Sequence, residues 1–209
     1  MLQRVDLGEI PYQESIEAMS GWVAERQQGV APDRLFLLSH PPVITYGKLT
    51  PPDDLPSSDE IPTVAVDRGG HATYHGPGQL VGYLVMDLRR TRGPADVVRW
   101  LETGLIAAMA SLGFETVRRD TPKGASSLVG VWTPEHHKLV SIGMRIRGGV
   151  TSHGFALNVD PDLTVFDRFT ACSLPGVEMT SLRRLAEARG VPTPTELAVR
   201  DAVAAHLQP

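Results

Sequence analysis

The chain has 209 residues, 42% of them hydrophobic and 21% charged, with a formal net charge of −4. That balance fits one ordinary folded domain and excludes a disordered segment or a nucleic-acid footprint, although Arg89, Arg90, Arg92, Arg118, Arg119, Arg183 and Arg184 form local basic clusters. No apolar run reaches the length of a membrane span and the first residues lack the apolar stretch of a signal peptide, so the expectation is a cytoplasmic protein with no membrane partner.

In chain order, apolar periodicity predicts a helix from Tyr12 to about Gln28, with Ile16, Met19 and Val23 on one face and Gly29 as its stop. Strands follow at Leu35 to Ser39 and Val43 to Tyr46, then a proline-rich, acidic surface loop from Leu49 to Pro62. Val64 to Val66 and Leu80 to Leu88 read as two strands around a glycine-rich loop, a hairpin with an elaborate turn or a loop built to grip something. Within that loop, Gly76-Pro77-Gly78 is a turn signal, with proline fixing φ and glycine supplying a positive φ.

The clearest helix opens at Pro94, buries Val98, Leu101, Leu105, Met109 and Leu112, and stops at Gly113. Four strands are predicted next, at Glu115 to Arg119, Ser127 to Trp132, Lys138 to Ile146 and Thr151 to Val159. The carboxyl end is helical, and Thr193-Pro194-Thr195-Glu196 reads as a capping box with proline at the first helical position. Neither an internal repeat nor an interdomain linker interrupts the pattern, which predicts one α/β domain of the α+β type, a mixed sheet flanked by helices.

Cys172 is the single cysteine, which excludes an internal disulfide and a Cys-rich metal site. It reads as a small core residue or as a reagent. Its surroundings favour the second, because Phe169 to Gly176 carries no helix or strand period and leads into another likely helix. The seven histidines fall into no ligand-like spacing, so no metal is expected.

RGGHATYHGPGQL from Arg68 to Leu80, HKLVSIGMRI from His137 to Ile146, TSHGFALNV from Thr151 to Val159 and ACSLPGVEMTSL from Ala171 to Leu182 resemble the lipoyl(octanoyl) transferase family. The earlier His40-Pro41-Pro42-Val43 segment is similar as well, so the likeness spans positions 40 to 182. Ser173 departs from the glycine expected after the cysteine, and the His136-His137 pair before Lys138 is unusual.

The resemblance implies a biotin/lipoate protein ligase-like, class II synthetase-like fold. It also implies transfer of an octanoyl or lipoyl group from acyl carrier protein to a lysine of a lipoyl domain, in 2-oxoacid dehydrogenases or the glycine cleavage H protein, with no cofactor. Cys172 is then the nucleophile and Lys138 its partner. An ammonium stabilises a thiolate, and a desolvated lysine can later accept the proton of the attacking amine. Read without the resemblance, Lys138 is a surface lysine opening a strand.

The resemblance carries substrate contacts onto Arg68, Gly69, Gly70, His71, Ala72, Thr73, Tyr74 and His75. It carries them also onto Ser141, Ile142 and Gly143, and onto Gly154, Phe155 and Ala156. Gly70 and Gly78 are expected beside the acyl chain, where backbone must come close. His75 orients the site, assists proton transfer or is a satisfied structural residue, and His153 and Asn158 are expected to hold the loop. Three rivals remain: an ATP-dependent lipoate or biotin ligase, a thioesterase using Cys172 with His75, and a non-catalytic module that binds an acyl carrier. No phosphate-cradling loop motif favours the first.

Overall fold

A strand that the pattern does not announce opens the fold. β1 (Gln3–Glu9) pairs parallel with β2 (Arg34–Ser39), and its side chains alternate only weakly between buried and exposed, as befits the edge of a sheet. The computed structural model describes residues 2–89 and 93–208, so Arg90 and Arg92 lie outside the described residues.

Between the first two strands runs α1 (Tyr12–Gln27). β3 (Val43–Tyr46) and β4 (Thr63–Ala65) follow, separated by a short 3-10 turn at Pro52–Asp54. Then come β5 (Thr73–His75), β6 (Gln79–Val85) and α2 (Pro94–Ser111). β7 (Gly130–Trp132), β8 (Lys138–Arg147) and β9 (Val150–Asn158) complete the strands, and α3 (Leu182–Arg189) and α4 (Glu196–His206) close the described chain. None of the described helices is long and apolar enough to cross a membrane.

The strands form a six-stranded mixed sheet ordered β1-β2-β6-β9-β8-β7 and a three-stranded sheet ordered β4-β3-β5. Period-two alternation along β6 serves both faces of the large sheet. Leu80 and Leu84 join the core under α2, α3 and α4, whereas Val81, Tyr83 and Val85 join Met19, Phe36 and Leu38 under α1. Each wholly buried leucine of these layers contributes about 1.5–3 kcal/mol relative to an exposed one. A third cluster, with Ile44, Tyr74, Val165, Phe166 and Phe169, backs the small sheet.

The glycine-rich run is therefore not a hairpin loop. The segment around Val64 and the β6 strand belong to different sheets, and β5 inside the run pairs antiparallel with β3. Two further strands shrink. Glu115 to Arg119 makes only one bridge, between Val117 and Trp132, and the strand expected from Ser127 starts at Gly130 because the Leu128 amide donates to Thr121 Oγ1 instead of to a ladder. β6 stops at Val85, short of Leu88.

At the last helix, the cap is Thr195, whose hydroxyl accepts from the Ala198 amide; Pro194 precedes the cap, and alanine at N3 leaves no capping box. On α2, Leu101, Leu105 and Met109 are buried as the stripe predicts, Val98 and Leu112 are only partly so, and Val97 is buried beside them.

Candidate active site

Three of the expected patches meet through strand pairing. In the β8–β9 ladder Ser141 faces Ala156, Ile142 faces Phe155 and Gly143 faces Gly154, so two motifs distant in sequence become cross-strand neighbours. The third patch is pinned on top of them, because the Gly69 amide donates to the Met144 carbonyl at 3.0 Å.

A cavity opens where these strands meet. Arg68, Gly70, His71, Thr73, His75, Ser141, Ile142, Gly143, Gly154, Phe155 and Ala156 line it, together with Lys138 and Cys172. Alternation along β5 explains which of its residues do so: Thr73 and His75 face the cavity, while Tyr74 packs edge-on against Phe166 with ring centroids 5.8 Å apart. Gly69 and Ala72 do not line it either; Ala72 is buried, and its carbonyl accepts from the Cys172 amide at 2.7 Å. Gly78 is also absent from the wall. Its φ is +84°, and a Cβ there would meet the Asp160 carbonyl oxygen at 2.1 Å, so this glycine serves the Gly76–Gln79 turn and its packing on residues 159–160. At Gly70, with φ +89°, the neighbour is the Arg68 side chain at 3.3 Å, and this glycine does line the cavity.

Lys138 and Cys172 share the cavity because their backbones are tied together. The Lys138 amide donates to the Glu178 carbonyl and the Lys138 carbonyl accepts from the Thr180 amide, both at 2.9 Å, which fixes the start of β8 to the segment just after the cysteine. The Lys138 side chain is only 2% exposed. Its Nζ lies 5.0 Å from the Trp132 ring centroid, and no carboxylate pairs with it among the described residues. The reading of Lys138 as a surface residue therefore fails.

Cys172 is half-buried in a 3-10 turn at Ala171–Ser173. Its Sγ is 3.8 Å from Ser141 Oγ. Cys172 has φ +59° and Ser173 φ +50°. A non-glycine residue in this left-handed region costs about 1–2 kcal/mol. A glycine at position 173 would avoid one of these costs.

Tyr12, Tyr83, Ser127, Val129 and His153 also line the cavity and escaped the sequence reading as contacts. Tyr12 comes from α1, far from the glycine-rich block in sequence, and Tyr83 from β6 just beyond it, and no local pattern marks either as a contact. His153 sits inside a recognised motif. It was expected to hold the loop, yet neither of its ring nitrogens has a hydrogen-bond partner among the described residues, and it is only 8% exposed. Burial, reinforced by the Arg68 and Arg145 charges, lowers its pKa to about 4. Asn158 does act as a network residue, accepting from Gln79 Nε2 at 2.8 Å and donating to the Thr180 carbonyl at 3.0 Å.

Burial, with His40, Arg68 and His153 nearby, pushes His75 well below the ordinary histidine range. It stacks on Tyr12 at 5.9 Å and is neutral at pH 7. Its neighbour His40 bonds the Ile10 carbonyl through Nδ1, at 2.6 Å, so that nitrogen carries the proton and Nε2 accepts from the Tyr83 hydroxyl at 2.7 Å. Burial drives the Tyr12 phenol up to about 12. The Arg68 guanidinium donates to the Gly69, Thr45 and His71 carbonyls and to Thr45 Oγ1, bracing the glycine-rich segment from inside. The resulting cavity is lined by the Arg68 guanidinium, the neutral His75 ring and apolar Ile142, Phe155 and Ala156, and it also holds a thiol and a buried amine. Such a site can take an apolar chain and set a thiol beside its head.

Residues 11–208 match the lipoyl protein ligase A/B catalytic domain. An octanoyltransferase of Frankia casuarinae is 46% identical over 184 residues, 87% of this chain and 83% of that protein. Among solved structures, the bi-partite lipoate protein ligase of Thermoplasma acidophilum superposes with a TM-score of 0.64 at 15% identity, covering 99% of this chain and 82% of that one. A biotin protein ligase of Leishmania major bound to biotinyl-5-AMP gives 0.54 at 15% identity over 98% of this chain and 73% of that one. At these identities the two structures bear on the fold, and the mixed sheets with flanking helices are of the lipoate and biotin ligase type.

Proposed function

Because the chain belongs to the lipoyl protein ligase A/B catalytic domain family and is an octanoyltransferase of protein lipoylation, we propose that it moves the acyl group through a thioester on Cys172. The observation that carries this reading is one cavity holding the lone thiol and a buried lysine with no carboxylate partner among the described residues.

The donor in this reading is octanoyl acyl carrier protein. The Cys172 thiolate attacks the donor's thioester carbonyl, a new carbon–sulfur bond forms, and the carrier's sulfur leaves with a proton from the Lys138 ammonium. Lys138 is then a neutral amine. In the second half, the ε-amine of the acceptor lysine attacks the acyl-Cys172, passes a proton to Lys138 and releases the Cys172 thiolate. The thiolate–ammonium pair is restored, and the second exchange is driven by conversion of a thioester into an amide without ATP. Backbone along β8 and β9 walls the acyl chain, whose burial is worth about 0.8 kcal/mol per methylene.

The acceptor is a lipoyl domain, in this reading that of a 2-oxoacid dehydrogenase or the glycine cleavage H protein. A working free thiol also calls for a reducing compartment, which agrees with a cytoplasmic reaction. The test is transfer of octanoate from octanoyl acyl carrier protein to a lipoyl domain in the absence of ATP. Dependence on ATP and free octanoate would instead assign the chain to the ligase branch, and release of free acid without an acceptor would make it a thioesterase.

A further inference from the structure

The nucleophile turn is held from outside the cavity by a residue of the acidic surface loop. The Thr170 amide donates to the Asp54 carbonyl at 3.0 Å, and the Ser173 hydroxyl donates to the Asp54 carboxylate. One residue thus grips the turn on both sides of Cys172, once through its backbone and once through its side chain. On the cavity side, the Cys172 amide donates to the Ala72 carbonyl at 2.7 Å. The grip matters because Cys172 and Ser173 are consecutive non-glycine residues at φ +59° and +50°, so local preference alone would not keep this conformation.

We propose that Asp54 is a positioning residue for the transfer: its carboxylate holds the Ser173 hydroxyl, and through it fixes the left-handed turn that aims Cys172 Sγ into the cavity. Asp54 does not line the cavity, and its carboxylate acts through Ser173. A serine with a tether does here what a glycine would do through its own conformational freedom. The inference rests on the reading of Cys172 as the nucleophile.

Residues 54 and 173 should therefore be coupled in a particular way. The measurement is the single-turnover rate at which octanoyl acyl carrier protein acylates Cys172, followed by intact mass, with KM for the carrier and the melting temperature recorded alongside. In the Ser173 background, Asp54→Ala slows acylation about tenfold with KM little changed, while Asp54→Asn, which keeps an acceptor, stays within about threefold. In the Ser173→Gly background the same Asp54→Ala change costs less than about twofold. Ser173→Ala and Ser173→Gly both remove the hydroxyl, and only the alanine variant shows the loss, which supplies the test if Asp54→Ala does not fold. An equal effect of Asp54→Ala in both backgrounds, or equal rates for Ser173→Ala and wild type, overturns the role of Asp54. Absence of any acyl adduct on wild-type Cys172 during active transfer overturns the nucleophile reading instead.

Discussion

Cys172 Sγ stands 3.8 Å from Ser141 Oγ, within reach of a sulfur hydrogen bond from the first residues of β8 to the Ala171–Ser173 turn. When the sulfur is a thiolate, the hydroxyl is the donor, and hydrogen bonds to charged groups are worth about 1.5–3 kcal/mol. Ser141→Ala is expected to slow acylation of Cys172 by roughly tenfold or more and to leave the melting temperature nearly unchanged. Stopped acylation assays and thermal melts read both quantities; an unaltered rate would reduce Ser141 to a wall of the cavity.

Lys138 has two jobs in the proposed cycle, and they separate by substitution. Lys138→Ala should slow alkylation of Cys172 by iodoacetamide at pH 7, because the thiolate loses its ammonium, and should abolish the aminolysis step. Lys138→Arg keeps the charge but cannot give up a proton, so it should restore much of the alkylation and little of the transfer. Equal recovery of both by arginine would show that charge alone is required.

The two positive-φ glycines of the glycine-rich run should fail differently. Gly78→Ala forces a Cβ onto the Asp160 carbonyl and is expected to cost about 2–4 kcal/mol of stability, slowing octanoyl and butanoyl donors alike. Gly70→Ala carries the strain of φ +89° too, but its Cβ meets the Arg68 side chain in the cavity wall, so it should slow the octanoyl donor more than the butanoyl donor. Parallel donor profiles for both variants would move the acyl chain away from Gly70.

His153 gives the fold a pH dependence with a defined sign. Its pKa falls from an ordinary 6.5 to about 4 on folding, so between those values the unfolded chain holds the extra proton. The stability at neutral pH attributable to this group is therefore lost as pH falls from about 6.5 to about 4, by about 3 kcal/mol. His153→Asn tolerates the residue's φ of +59° and cannot titrate, so its melting temperature should fall less over that window than that of the wild type. His40 and His75 stay in both proteins, and since His153 helps to hold His75 down, the difference reads position 153 together with its coupling to His75. Parallel curves would contradict the assignment.

How much of this was legible depended on whether a contact is local. The helices at Tyr12 and Pro94 and the long β8 and β9 strands announce themselves through period, and the Gly76-Pro77-Gly78 turn through residue type. β5 could not be read, because its three residues owe their strand state to pairing with β3 across the glycine-rich run. The same limit hid Tyr12 and Tyr83 as cavity walls. It hid Asp54 too, which sits in a proline-rich loop with no period, its tie to Ser173 being purely tertiary. The motifs named Cys172 and Lys138, while the pairing of β8 with β9 and the ties of Lys138 to residues 178 and 180 explain why they line one cavity.

The most direct test of the covalent route is intact-mass spectrometry of the protein mixed with octanoyl acyl carrier protein before any lipoyl domain is added. The account predicts one octanoyl group on the chain, mapped to Cys172, that disappears as a lipoyl domain is added and becomes octanoylated. Cys172→Ser should remain folded by circular dichroism, take up no stable adduct and lose transfer, since an alcohol here is a far weaker nucleophile than a thiolate. Octanoylation of the lipoyl domain at an undiminished rate by Cys172→Ser would contradict it.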